Sequence, residues 1–277
     1  MESKVIKGNC PVMEARDVHF AYGNNQILKG VDLIIKEHNV TTIMGANGCG
    51  KSTLFSLMTK NLEPNSGRIF IRGRNLKNIS LKEFASKVAI VQQYNEAPGD
   101  ITVEQLVSFG RTPHISFLKD NGKEDEEKVA WAMEVTGISE FAEREISRLS
   151  GGQRQRAWIA MALAQEPEIL FLDEPTTYLD VRYQVEILEL VRMLNEKFGL
   201  TIIMVLHDIN QALYYSDEIV GLQGGKVRVK GNPSETVNSK SIRLLYGIDL
   251  DVMDIKGKKV VIPLQKEERS KVNSVEA

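Results

Sequence analysis

A chain of 277 residues, 42% of them hydrophobic, can bury a substantial core as one large domain or two small ones. Its 35 basic and 37 acidic residues sum to a net charge of −2, which argues against a surface dominated by nucleic-acid backbone contacts. The two cysteines, Cys10 and Cys49, have no CxxC spacing and no histidine partner nearby; a disulfide framework and a zinc site are both disfavoured, and a reducing compartment is expected.

In chain order, Met1 to Pro11 is polar and lacks the apolar stretch of a secretion signal. No later run approaches the roughly 18–20 consecutive apolar residues of a membrane span. The expectation is a cytosolic chain that serves any membrane process through a partner. Val12–Phe20, Ile27–Lys36 and Val40–Met44 read as strands. Alternation at Val31, Leu33 and Ile35 and the turn-prone Gly23-Asn24-Asn25 predict an antiparallel start.

Gly45-Ala46-Asn47-Gly48-Cys49-Gly50-Lys51-Ser52-Thr53 then matches GxxxxGK[ST], between the apolar strand Val40–Met44 and a helical pattern over Thr53–Leu62. Glycines at Gly45, Gly48 and Gly50 let successive backbone N–H groups, those of Asn47 and Thr53 among them, turn inward around phosphate oxygens. The helix N-terminus adds partial positive charge. Lys51 would reach the β- and γ-phosphates of ATP, and Ser52 would ligate Mg²⁺. Cys49 inside this loop reads as a passive filler.

Beyond it, the apolar runs Arg68–Ile71, Val88–Val91, Ile169–Leu172, Thr201–Leu206 and Ile219–Leu222 alternate with amphipathic helices, which predicts an α/β core with a parallel sheet. Ser80 with Glu83, and Thr102 with Gln105, read as capping boxes that start helices. Strand patterns vanish between Ile101 and Ala164, predicting an inserted helical subdomain, with the charge run Lys119–Glu127 as a solvated loop.

Leu149-Ser150-Gly151-Gly152-Gln153 stands just before the helical run Arg154–Ala164, so its amides form a second anion site at a helix N-terminus. One nucleotide needs no second cradle in one monomer; the segment makes sense facing the nucleotide of another subunit. Ile169-Leu170-Phe171-Leu172-Asp173-Glu174 is an apolar strand ending in two acids. Asp173 is placed to hold Mg²⁺, directly or through water, and Glu174 to orient or deprotonate an attacking water. His207 ends the strand Thr201–Leu206, ahead of a helix capped by Asp208. The tail after Gln265 is polar.

Taken together, these stretches make the chain resemble the nucleotide-binding subunit of an ABC transporter over essentially its full length. The resemblance implies a P-loop NTPase core with an N-terminal antiparallel β-subdomain and an inserted α-helical subdomain. A single ATPase domain would span 12–250, with the helical subdomain at about 101–164 and a C-terminal strand and polar tail over 251–277. It implies that Tyr22 stacks on adenine and that Gln93 contacts Mg²⁺ and the attacking water while sensing the membrane subunit. Gln92 is adjacent, but the spacing to Thr102 favours Gln93. It further implies that Asp180 links two sites across a dimer and that His207 contacts the γ-phosphate.

Two copies would sandwich ATP at the cytoplasmic face of a membrane, bound to a separate multi-span permease and, through it, to a substrate-binding protein, with no nucleic acid involved. Phe109-Gly110-Arg111-Thr112-Pro113-His114, the run Thr176 to Gln184, and Tyr246-Gly247-Ile248-Asp249 are similar to stretches in the ATPases of iron-siderophore, haem and cobalamin importers. The alternatives are an exporter half or a soluble ATPase acting on nucleic acid or ribosomes. Against the latter, the chain has neither tandem ATPase domains nor a long coiled-coil insertion.

Overall fold

The structure, a computed structural model, describes residues 10–115 and 122–263. It is a mixed α/β fold with an antiparallel β-subdomain and a helical insert. Strands β1 (Pro11–Tyr22) and β2 (Asn25–Lys36) are joined by a turn in which Gly23 takes φ 57°. On β2, Leu28, Val31, Leu33 and Ile35 are buried, as the alternation predicts. Strand β3 (Val40–Met44) is buried at all five positions. Helix α1 (Lys51–Met58) starts two residues earlier than its apolar pattern, because Gly50, at φ 109°, already serves as its N-cap. It also stops earlier, where the Thr59 hydroxyl donates to the Phe55 carbonyl at 2.9 Å.

Then follow β4 (Ser66–Ile71), β5 (Arg74–Asn75), α2 (Leu81–Ala85), β6 (Val88–Val91), α3 (Val103–Ser108), α4 (Gly122–Thr136) and α5 (Gly151–Ala164). The chain continues through β7 (Ile169–Asp173), α6 (Val181–Phe198), β8 (Thr201–Val205), α7 (Ile209–Tyr215), β9 (Glu218–Gln223) and β10 (Lys226–Gly231). It closes with α8 (Pro233–Thr236), α9 (Ser239–Tyr246), β11 (Leu250–Ile255) and β12 (Lys258–Pro263). None of the described helices is long and apolar enough to cross a membrane.

The chain groups into two compact units: Met1–Met13, Ile35–Val40 and Phe70–Val205 form one, and Glu14–Ile34, Thr41–Ile69 and Leu206–Ala277 the other. In the first, β6, β7 and β8 run parallel in register, Val88 opposite Ile169 and Ile169 opposite Thr201. The buried apolar runs of β7 and β8 are those of strands covered on both faces. Helix α6 is amphipathic, burying Ile187, Leu188, Leu190, Val191 and Leu194.

The helical insert of this unit contains α3, α4 and α5. Its one isolated strand-like bridge among the described residues is Thr102 with Glu145. The stretch Phe109–His114 forms a 3-10 turn packed on α5 so closely that a Cβ on Gly110 would lie 2.1 Å from the Met161 carbonyl oxygen. Arg111, buried, donates from Nε to Asp125 Oδ1 at 2.7 Å, and from Nη1 to the Ala164 carbonyl at 2.6 Å and Glu166 Oε2 at 3.0 Å. Lys128 closes the network on Glu166. His114 Nε2 lies 2.9 Å from the Gln165 carbonyl oxygen. This importer-like stretch therefore clamps the insert together.

Two sequence expectations are corrected here. From Gly122 onward the Lys119–Glu127 charge run is helix α4, not a solvated loop; the acids Glu124 and Asp125 in its first turn favour the helix start, and Asp125 and Lys128 are used by the Arg111 network. Residues 119–121 lie outside the described ones. Ser80 and Glu83 make only half a capping box: Ser80 Oγ accepts from the Glu83 amide, but the Glu83 carboxylate is taken by Arg74. Thr102 with Gln105 forms the full box.

In the second unit, β3 runs parallel to β9, with Met44 opposite Gly221, and β10 folds back antiparallel on β9. The C-terminal segment was expected as one strand and is a hairpin, β11 with β12, because the Lys256-Gly257 turn takes φ 54° and 76°. The Asn210 side chain of α7 pairs with the outer edge of β12, accepting from the Val261 N–H at 2.8 Å and donating to its carbonyl at 3.1 Å. The expected polar tail beyond Gln265 lies outside the described residues.

Candidate functional site

In the second unit, the chain leaves β3 into a loop whose three glycines take left-handed backbone conformations that other residues rarely adopt. Gly45 sits at φ 145°, and a Cβ there would lie 2.2 Å from the Leu222 carbonyl oxygen; Gly50, at φ 109°, would meet Leu28 at 2.7 Å. Gly48, at φ 76°, completes the bend beside the exposed Asn47. Cys49 is buried against Gly45 and fills the loop's inner side, as expected.

Lys51 is only 6% exposed, and its Nζ donates to the carbonyls of Gly45 at 2.8 Å and Ala46 at 3.1 Å. The ammonium is folded over the concave side of the loop, on neutral acceptors that an anion would displace. Ser52 is exposed and Thr53 buried in the first turn of α1, where amide N–H groups lack intrahelical acceptors. The residues present thus fit the phosphates of a nucleotide. In the same unit, Tyr22 is 55% exposed, its ring in a T-shaped pair with Phe20 at 4.9 Å between centroids. His207 is exposed just past β8, and Asp208 caps α7 by accepting from the Gln211 amide at 2.9 Å.

In the first unit, β7 delivers Asp173 and Glu174 to its C-terminal end, both half-buried. Glu174 takes φ 50°, a conformation few non-glycine residues adopt, and often a mark of function. Its Oε2 accepts from Gln93 Nε2 at 2.7 Å and from the Thr177 hydroxyl at 3.1 Å. Gln93 rather than Gln92 makes this contact; Gln92 is exposed, and its backbone is tied to the Asn95 side chain. Thr177 was missed from the sequence, although a hydroxyl three residues beyond an acid in a turn is a legible pairing.

Beside them, the hydroxyls of Tyr94 and Tyr178 lie 2.7 Å apart. That hydrogen bond, with slight burial, raises the Tyr94 hydroxyl above its ordinary value. Asp180 caps α6, accepting from the Tyr183 amide at 3.0 Å.

Ser150 and Gln153 form a reciprocal capping box at the start of α5: Ser150 Oγ accepts from the Gln153 amide at 3.3 Å, and Gln153 Oε1 from the Ser150 amide at 3.0 Å. The box uses those two donors and leaves the first-turn amides of Gly151 and Gly152 to another acceptor. A Cβ on Gly152 would fall 2.4 Å from the Tyr183 ring, so only glycine lets α5 approach α6 here. No cluster of three or more His, Cys, Asp or Glu gathers among the described residues. Ser52 offers an exposed hydroxyl and Asp173 a half-buried carboxylate, each an oxygen ligand of the kind Mg²⁺ takes.

The family model described as ABC transporter matches residues 28–177. The chain is 40% identical over 264 residues to the ferric enterobactin transport ATP-binding protein of Escherichia coli (strain K12), covering 95% of this chain and 97% of that protein. It is 41% identical over 241 residues to the iron(3+)-hydroxamate import ATP-binding protein of Bacillus subtilis (strain 168), covering 87% and 90%. Among solved structures, cbiO1 from Clostridium perfringens, part of an ABC transporter complex, matches with TM-score 0.72 at 34% identity, covering 81% of this chain and 90% of that one. A putative metal-chelate type ABC transporter in an inward-facing conformation matches with TM-score 0.81 at 24% identity over 94% of this chain and 100% of that one, a likeness of fold.

Proposed function

This chain belongs to the ABC transporter family, and we propose that it is the ATP-hydrolysing subunit of an importer for ferric siderophores or a related metal chelate. The observation that carries the catalytic part is Glu174, held at the end of β7 by the Gln93 amide at 2.7 Å. The cargo class rests on the relatives that transport ferric enterobactin and iron(3+)-hydroxamate.

In this reading Lys51 leaves the Gly45 and Ala46 carbonyls for the β- and γ-phosphates, and the loop amides receive the remaining phosphate oxygens. Tyr22 stacks on the adenine. Glu174 orients and deprotonates the attacking water, and Gln93, through its hydrogen bond to Glu174, sets that carboxylate's direction. His207 contacts the γ-phosphate from the loop that Asp208 anchors. Ser52 and Asp173, with Gln93, are the groups that would hold Mg²⁺, which supplies charge neutralisation on the phosphates.

The amides of Gly151 and Gly152, presented by the Ser150–Gln153 box, reach the nucleotide of a second copy, and Asp180 connects the two sites. Two copies so joined work on a multi-span permease at the cytoplasmic face of the membrane, and through it on a substrate-binding protein.

The test is transport. A strain lacking this gene should lose uptake of radiolabelled ferric siderophore; the unaltered chain should restore it and Glu174→Gln should not. Uptake that persists in the deletion strain, or that Glu174→Gln restores in full, contradicts the proposal.

A further inference from the structure

Tyr94 and Tyr178 stand beside the acid pair, and the function above gives them no part. Tyr94 follows Gln93 in the turn after β6, and Tyr178 lies between Glu174 and Asp180 in the turn after β7. Their hydroxyls are 2.7 Å apart, and their rings, tilted by 41°, have centroids 6.0 Å apart. One residue earlier, Gln93 Nε2 donates to Glu174 Oε2, also at 2.7 Å. The two turns are thus joined by two rungs, Gln93 with Glu174 and Tyr94 with Tyr178.

Burial does not hold this pair, since Tyr94 is 66% and Tyr178 78% exposed. Tyr178 takes φ 65°, a left-handed backbone that non-glycine residues keep only where their surroundings determine it. Glu174, four residues earlier, is left-handed too, so the turn is strained at both of these positions. Between them, the Thr177 amide donates to the Glu174 carbonyl at 3.1 Å and the Thr177 hydroxyl to Glu174 Oε2 at 3.1 Å. Just beyond, Leu179 lies against the start of α5, where a Cβ on Gly151 would sit 3.3 Å from its Cδ2. Whatever fixes Tyr178 therefore fixes a turn that begins at Glu174 and ends against the Ser150–Gln153 box.

We propose that Tyr94 and Tyr178 are positioning residues for hydrolysis, their hydrogen bond holding this strained turn in the conformation that aims Glu174 at water. The inference rests on the reading of Glu174 given above. A hydrogen bond between two groups open to water adds little to the stability of the fold. Its worth lies in restricting a turn whose carboxylate must be in place before the chemistry begins. Lys51 and the phosphate loop are not part of this turn, so the effect falls on turnover and not on affinity.

The experiment is a double-mutant cycle in the full chain: Tyr94→Phe, Tyr178→Phe and the two together, which keeps both rings and removes only hydroxyls. Steady-state phosphate release gives kcat and KM, titration with a non-hydrolysable ATP analogue gives Kd, and thermal unfolding gives Tm. Either single variant should lower kcat about two- to fivefold, the range for one hydrogen bond, with KM, Kd and Tm nearly unchanged. The double variant should lose no more than either single one, because the same bond is gone in all three. Unchanged kcat in the single variants overturns the inference. So do losses that multiply in the double variant, which would show the hydroxyls acting separately, and a loss found in KM or Kd with kcat level. Glu174→Gln is measured alongside; if it turns over as fast as the unaltered chain, the reading of Glu174 fails first and takes the inference with it.

Discussion

At the scale of single residues, the site is organised by contacts that hold charged groups in place ahead of the chemistry. Glu174 is fixed by its φ of 50°, by Gln93 and by Thr177, so its carboxylate has little freedom left to lose when water arrives. Removing Gln93 should loosen it without removing it. Gln93→Ala is expected to lower kcat about three- to tenfold with KM nearly unchanged, measured as steady-state phosphate release. Lys51 differs, because the role proposed for it is to bind phosphate. Lys51→Ala should weaken ATP binding about ten- to a hundredfold, the range for a hydrogen bond to a charged group, and a titration with an unchanged Kd would remove Lys51 from the site.

At the scale of elements, the helical insert depends on the Arg111 network. The guanidinium's side chain is 6% exposed, while Asp125 and Glu166 remain partly open to solvent at 22% and 37%. Arg111→Met leaves two acids facing an apolar group, and we expect a loss of about 3 kcal/mol, read from urea unfolding. Burial opposes ionisation of Glu166, but the hydrogen bonds from Lys128 and Arg111 outweigh it and hold the carboxyl below its ordinary 4.5. A carboxyl depressed on folding stabilises fully above its unfolded value, and that contribution is lost as pH falls through the lower folded value. The difference between Arg111→Met and the unaltered chain should therefore shrink in acid below about 4.5. An equal difference at neutral and acid pH would show that Glu166 contributes nothing to the clamp. This network also explains what the sequence concealed. The first turns of α4, Gly122 to Lys128, contain no apolar residue, so periodicity could not mark them as helix; ion pairs to Arg111 and Glu166 hold them instead. By contrast, the box of Thr102 with Gln105 was legible, because a capping box is a local pairing of residues three apart; at Ser150 with Gln153 the sequence reading marked the helix N-terminus but not the box that the structure forms there.

At the scale of the whole molecule, the phosphate loop, the acid pair after β7 and the Ser150–Gln153 segment were all readable from sequence, since each is a short run tied to the end of one strand or the start of one helix. The grouping of the chain into two units was not, because it depends on contacts between distant segments such as Ile35–Val40 with Phe70–Val205. If the box at α5 serves a second copy's nucleotide, Glu174→Gln should sediment as a dimer with ATP and as a monomer with ADP. A dimer that ignores the nucleotide would detach the box from that role. The central claim is that this chain hydrolyses ATP through Glu174. It is tested most directly by phosphate release from the purified chain and from Glu174→Gln, with ATP binding measured on the same samples. The account predicts equal binding and turnover at least about a hundredfold slower in the variant; equal turnover by the two chains would contradict it.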